Sequence, residues 1–352
     1  MYSDQDLDAA VQAGVMPPET AEGFRAYIAS NRHSLAVDEE YVPLLRGFND
    51  IFVSIAIALV AIATYVLASG PAPRGLYLAA EAWGLAEYFT RRRRMALPSI
   101  LLLLLYAGGL WLVLLRVIGG WMIGHMLLVM PVVHTLAQAG LDVKSRIYLT
   151  MGFTAGLEAL AIYAHWWRFH VPVTVAAGAG AAIMLVVCLI LGFFPGLWAY
   201  WPYLTILAGL VVFALGVWWD MSDRARLTRR ADVAFWLHLL AAPLLVHPVF
   251  YLLGLLENGG DAARAAIAVA VYAVLAVLAL LVDRRALLVS ALGYVIYALA
   301  HVLRTSGTQA EGLAVTALIA GCALLLLSAF WHRVRAMLLA LLPRGAAARL
   351  PG

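Results

Sequence analysis

The sequence predicts an all-α fold: a polytopic transmembrane helical bundle of about ten spans, preceded by a short N-terminal helical hairpin on the cytoplasmic side. Three observations predict it. Apolar stretches near 20 residues long follow one another from Ile51 almost to the C-terminus, and about 20 helical residues cross a hydrocarbon core some 30 Å thick. Hydrophobic residues make up 64% of the chain and charged residues only 12%, against about a quarter charged in soluble domains; mean hydropathy is +0.90. Arginines gather between the apolar stretches, as expected of loops that set orientation.

Taken in order, residues 1–46 read as an acidic helical domain. Ser3 can cap a helix carrying Leu7 and Val11 one turn apart, Gly14 suits its C-terminal cap, and Pro17 and Pro18 restart the chain before Glu19. The second helix sets Phe24, Tyr27 and Ile28 on one stripe and is expected to end near Asn31. Two such helices bury too little to be stable alone, which implies docking on a protein partner. A third amphipathic piece, residues 41–50, leads into the membrane.

The bundle, residues 47–332, contains eleven candidate segments: 51–69, 75–90, 97–117, 121–138, 148–165, 172–193, 201–219, 233–254, 264–282, 286–303 and 312–331. Residues 333–352 read as an interfacial helix, stopped by Pro343, and a basic tail. The positive-inside rule wants Arg91–Arg94, Arg224–Arg230, Arg284–Arg285 and Arg333–Arg335 on one side. Five candidates lie between the first two clusters, an odd number, so one does not span. The weakest is 121–138, which holds His125, His134 and Pro131. Ten spans with both termini cytoplasmic follow, with Arg168 inside and Lys144 and Arg146 as the outside exception.

Charge is unevenly placed. Residues 1–40 hold eight acids against Arg25 and Arg32, a net −6, which leaves +10 on the remainder of a chain whose total is +4. Positive charge at span ends reads as orientation and anionic-lipid contact, so nucleic-acid binding is not implied by the pI of about 9.1. Cys188 and Cys322 fall in apolar segments without Cys-x-x-Cys spacing and read as buried small side chains. No basic region followed by an apolar stretch opens the chain, so no cleaved signal peptide is expected. Lys144 is the single lysine among 24 basic residues, a usage associated with bacterial genomes rich in G and C; the expected location is a bacterial cytoplasmic membrane.

The string LDAAVQAGVMPPETAEGFRAYI before the first span, followed by arginine-punctuated hairpins, resembles a family of bacterial membrane proteins catalogued as domain of unknown function 2157. The resemblance implies the fold and supplies no catalytic residues.

Ionisable groups inside spans are the strongest functional lead, since one at the bilayer centre costs at least about 2.5–3.5 kcal/mol on insertion scales. Glu81 lies near mid-depth with no neutralising neighbour in sequence, whereas Glu87 is one turn from Arg91 and reads as its interfacial partner. Glu158 and His165, seven residues apart, share a helix face and suit a proton relay; His165 also adjoins Trp166, Trp167 and Arg168, as in an interfacial aromatic belt. His238 and His247 are nine apart around Pro243, echoed by His125 and His134 around Pro131. Four such histidines suit metal, haem or proton transfer, or simple hydrogen bonding across helices. Asp220, Asp232 and Asp283 read as loop ion pairs that fix helix ends. Gly152-x-x-x-Gly156, Gly120-x-x-x-Gly124 and Ala176-x-x-x-Gly180 read as close-packing sites. No Walker-type, His-Glu-x-x-His or Gly-x-Ser-x-Gly motif occurs.

These features lead first to a transporter or channel-like protein for a small solute or ion, with Glu81, Glu158, His238 and His247 as its intramembrane polar sites. The alternative is a non-catalytic scaffold or assembly partner in which the polar groups lock helices and the N-terminal hairpin recruits a protein. A membrane enzyme or haem protein comes third. No catalytic residue, cofactor or metal ligand is predicted.

Overall fold

A computed structural model describes residues 7, 10–35, 48–128, 143–223, 228–254, 262–283, 288 and 309–341, and every regular element among them is helical. The chain separates into two compact units, Met1–Val42 and Pro43–Gly352.

In the first unit Gly14 takes φ 69°. Its N–H bonds Val11 O at 3.0 Å while Val15 N–H bonds Ala10 O at 3.0 Å, the paired bonds of a Schellman cap. The glycine expected to end the first helix does so. Helix α1, Pro18–Leu35, begins on a proline whose missing N–H costs nothing there and runs past the expected stop at Asn31.

The second unit contains α2 (Phe48–Leu67), α3 (Pro71–Ala86), α4 (Ala96–Leu128), α5 (Val143–Phe169), α6 (Pro172–Phe193), α7 (Trp201–Met221), α8 (Arg229–Leu252), α9 (Ala262–Val282) and α10 (Gln309–Ala340). A π-helical turn, Glu87–Arg92, extends α3, and a 3₁₀ turn, Pro195–Tyr200, precedes α7. Prolines open α3 and α6, and Gly70, at φ 89°, makes the tight turn between α2 and α3.

Six helices among the described residues are long and apolar enough to cross a bilayer. On the first of them the amphipathicity is inverted. On α2 the buried positions are Asp50, Ser54, Ile57 and Ala61, while Phe52, Ile55, Leu59, Ile62 and Val66 point outward. An outward stripe of large apolar side chains around small and polar buried ones is stable only in lipid, so this is an integral membrane protein.

Neighbouring helices alternate in direction. Thr64 meets Glu81 on α2 and α3; Gly75 meets Gly109 and Trp83 meets Tyr106 on α3 and α4. Tyr106 lies beside His165, and Gly119 beside Thr150, on α4 and α5. Gly152 faces Leu189 and Gly178 faces Ile162 across α5 and α6. Gly209 faces Leu245 and Gly216 faces His238 across α7 and α8. Parallel to α8 runs α6, with Ala176 packed near Val233 and Leu237, and Gly180 against Leu240. Buried Ala242 packs with Ala279 and Leu280 of α9. Arg91–Arg94, Arg168, Arg229 and the Asp283 end of α9 therefore share one end of the bundle, with Gly70, Lys144, Pro195 and Gly254 at the other.

Three expectations need correction. Segments 97–117 and 121–138 are not two elements up to Leu128: α4 is one helix of 33 residues, about 50 Å long, and no proline interrupts it after Pro98. Residues 129–138 lie outside the described residues. Trp331 does not end a span before a separate interfacial helix, because α10 runs unbroken from Gln309 to Ala340. Third, candidate 148–165 begins too late: α5 starts at Val143 and carries Lys144 and Arg146 in its first turn, with the Lys144 ammonium 5.1 Å from the centre of the Trp198 ring. Candidate 286–303 lies, apart from Leu288, outside the described residues.

Candidate functional site

The polar residues singled out by sequence fall into distinct interhelical contacts. The largest lies on α5, whose buried face carries Thr154, Glu158, Ile162, His165 and Phe169 at three- and four-residue spacing. Gly152 and Gly156 let α6 close on α5: a Cβ at Gly152 would stand 3.2 Å from Leu189. Glu158 is 7% exposed, and its Oε2 is buried without a hydrogen-bond partner, as is the Oγ1 of fully buried Thr154 one turn earlier.

Tyr106 of α4 lies within electrostatic range of Glu158 and stands 5.5 Å, ring to ring, from His165. His165 is 1% exposed. Trp83 and Phe169 complete its aromatic surround at 6.0 and 4.6 Å, and its Nδ1 lies 3.5 Å from Thr174 Oγ1 on α6. The interfacial-belt reading of His165 is thus corrected: it is a core residue, set apart from exposed Trp167 by helical phase.

The second contact joins α7 and α8. His238 Nε2 and Asp220 Oδ2 lie 3.0 Å apart, both side chains almost fully buried. Phe213 meets the imidazole edge-on at 5.3 Å, and its Nδ1 has no partner. Thus Asp220 is no loop ion pair but an interhelical one. Two residues at matching depth on a hairpin face each other, a signal available in sequence once α7 and α8 are paired. His247, by contrast, is exposed beside Trp201, 6.1 Å between rings. Helix α8 continues through Pro243 and Pro248, so the two histidines stay on different faces.

In the third contact Thr64 Oγ1 donates to Glu81 Oε2 at 2.7 Å between α2 and α3, leaving Oε1 buried and unpartnered. The neighbour that Glu81 lacked in sequence comes from across the hairpin. His125 falls on the last turns of α4, and His134 lies outside the described residues.

Two ion-pair sites stand at the arginine end. Glu87 receives Arg91 at 3.2 Å as expected, and also a two-pronged grip from Arg168, Nε to Oε1 at 2.7 Å and Nη2 to Oε2 at 3.0 Å. Partial burial pushes the Glu87 carboxyl up, but hydrogen bonds from Arg168 and Arg91 outweigh this and hold it below the ordinary 4.5. Asp283, expected in a loop ion pair that fixes a helix end, is buried, accepts the Trp331 indole N–H at 2.8 Å and pairs with Arg335 of α10 at 3.7 Å, while Arg335 also donates to Leu280 O at 3.1 Å. These bonds tie the end of α9 to α10.

Among the described residues no three His, Cys, Asp or Glu side chains gather as a metal site. A groove of about 380 Å³ between α8 and α9 is lined by aliphatic side chains including Leu245, Val249, Ile267 and Val274, and by none of the polar candidates. Glu158 and His165 share the buried face of α5, while Glu81 meets Thr64 across α2 and α3 and His238 meets Asp220 across α7 and α8. No family model, curated protein or solved structure matches this chain.

Proposed function

We propose that the protein is a membrane-embedded scaffold, a ten-span bundle whose intramembrane polar groups lock helix pairs while its acidic N-terminal unit recruits a protein partner. The observation that carries this reading is the distribution of Glu81, His238 and the Glu158–His165 row over three separate helix contacts. A solute carrier needs its polar groups around one aqueous space; the groove between α8 and α9 is aliphatic and holds none of them. The N-terminal unit offers exposed Val15, Phe24 and Tyr27 beside Glu19 and Glu22, a face suited to a partner with apolar and basic groups.

The ten crossings combine α2–α10 with segment 286–303, and the arginine end faces the cytoplasm with both termini. Transport of a small solute or ion is the second reading, favoured by the buried Glu158–His165 row of α5. Reconstitution separates the two. Proteoliposomes holding a pH dye, given an imposed potential, should acidify no faster than empty vesicles. Flux lost in Glu158→Gln overturns the scaffold reading. Photo-crosslinkers at Phe24 and Tyr27 should capture one discrete partner in cells, and reversing the charge at Glu19 and Glu22 with both probes in place should abolish that capture.

A further inference from the structure

We infer that Thr154 and Glu158 form a binding site for one monovalent cation, of sodium-like chemistry, within the bundle. Four residues apart on α5, they stand one above the other on a single face, with Cβ atoms about 5–6 Å apart. Glu158 is 7% exposed and Thr154 fully buried, yet Glu158 Oε2 and Thr154 Oγ1 have no hydrogen-bond partner. Two unsatisfied oxygens one helical turn apart on one face, both out of contact with solvent, are costly unless a bound group satisfies them.

The donor chemistry selects the occupant. Both free atoms are hard oxygens, which disfavours soft transition metals. A single carboxylate balances a single positive charge, so a divalent ion here would carry an uncompensated charge into a low-dielectric interior. On the same buried face of α5, two turns on, His165 packs 5.5 Å, ring to ring, from Tyr106 of α4. The site is independent of whether the bundle acts as scaffold or carrier, since occupancy alone would satisfy these atoms.

The test is binding of ²²Na⁺ to purified, detergent-solubilised full-length protein by equilibrium dialysis, with thermal unfolding in sodium chloride against choline chloride. One ion per chain is expected, with a rise in Tm of about 2 °C near ten-fold excess over Kd. Glu158→Gln should abolish both effects, and the near-isosteric Thr154→Val should weaken binding at least ten-fold. Glu81→Gln, at the separate α2–α3 contact, should leave both intact. Absence of ²²Na⁺ binding to the wild type overturns the inference, as does a sodium response unchanged in Glu158→Gln. Dependence on pH without dependence on sodium also overturns it, since a proton alone would then neutralise Glu158.

Discussion

Gly216 decides whether the Asp220–His238 pair can exist. Its missing side chain is where the imidazole rests, since a Cβ there would lie 2.9 Å from His238 Cε1 and 3.0 Å from Nδ1. Gly216→Ala should push the ring off Asp220 Oδ2 and strand buried polar atoms, destabilising the protein by about 2–4 kcal/mol. Thermal or denaturant unfolding in detergent measures this. In a His238→Ala background the same change should cost less than about 1 kcal/mol, because the clash has gone. Glu87 makes a different prediction. Its carboxyl is depressed in the folded state, so the stability it contributes is fully present above 4.5 and is lost as pH falls through the lower folded value. Unfolding midpoints measured from pH 6 downward should drop on the acid side of about 4.5, and Glu87→Gln should flatten that part of the profile. An equally steep acid loss in Glu87→Gln would assign it to other carboxyls.

Pairs of helices depend on glycines that were not singled out by spacing. At the α3–α4 crossing, a Cβ on Gly75 would stand 2.3 Å from Gly109 O, and one on Gly109 would stand 2.7 Å from Gly75 O. The backbones touch there, as small residues permit in lipid. Gly109→Ala should therefore force α3 and α4 apart, at about 1–3 kcal/mol. Neighbouring Gly108 has nothing within 4 Å of its would-be Cβ. Gly108→Ala should be neutral or stabilising by up to about 1 kcal/mol, the helix-propensity gain, and equal losses at both sites would disprove the crossing.

How far the sequence discloses such contacts depends on whether the partner is local. Span-length apolar runs, the Gly14 cap and the Glu87–Arg91 pair were legible because each is set within a few residues. The Gly152–Gly156 motif also read correctly, whereas Gly120 meets nothing within 4 Å. Partners chosen by packing were not legible: Thr64 for Glu81, Trp331 for Asp283 and Arg168 for Glu87 lie 17 to 81 residues away. Burial of His165 rather than interfacial exposure likewise depends on which face α4 and α6 cover.

Across the whole molecule, alternation of α2–α9 turns the odd count of candidate segments into an even one. Between Arg91–Arg94 and Arg229 the described helices are α4, α5, α6 and α7, and the Arg168–Glu87 grip holds the end of α5 at the arginine end. A separate full crossing by 121–138 would put Arg168 and Arg93 on opposite sides of the membrane, where Arg168 could not reach Glu87. The topology is testable without function. With Cys188 and Cys322 replaced by serine, single cysteines at Arg92, His170 and Ser222 should resist an impermeant maleimide applied to right-side-out cells. Cysteines at Ser69, Gly196 and Leu253 should react, since these residues sit at the opposite end and are exposed. Lysis should reverse the protection of the first group alone. If position 170 reacted from outside while position 92 did not, α4 and α5 could not be one excursion across the bilayer and back. If instead all six labels reversed together, the helix pairing would stand and the arginine end would face outward, against the charge bias of the loops.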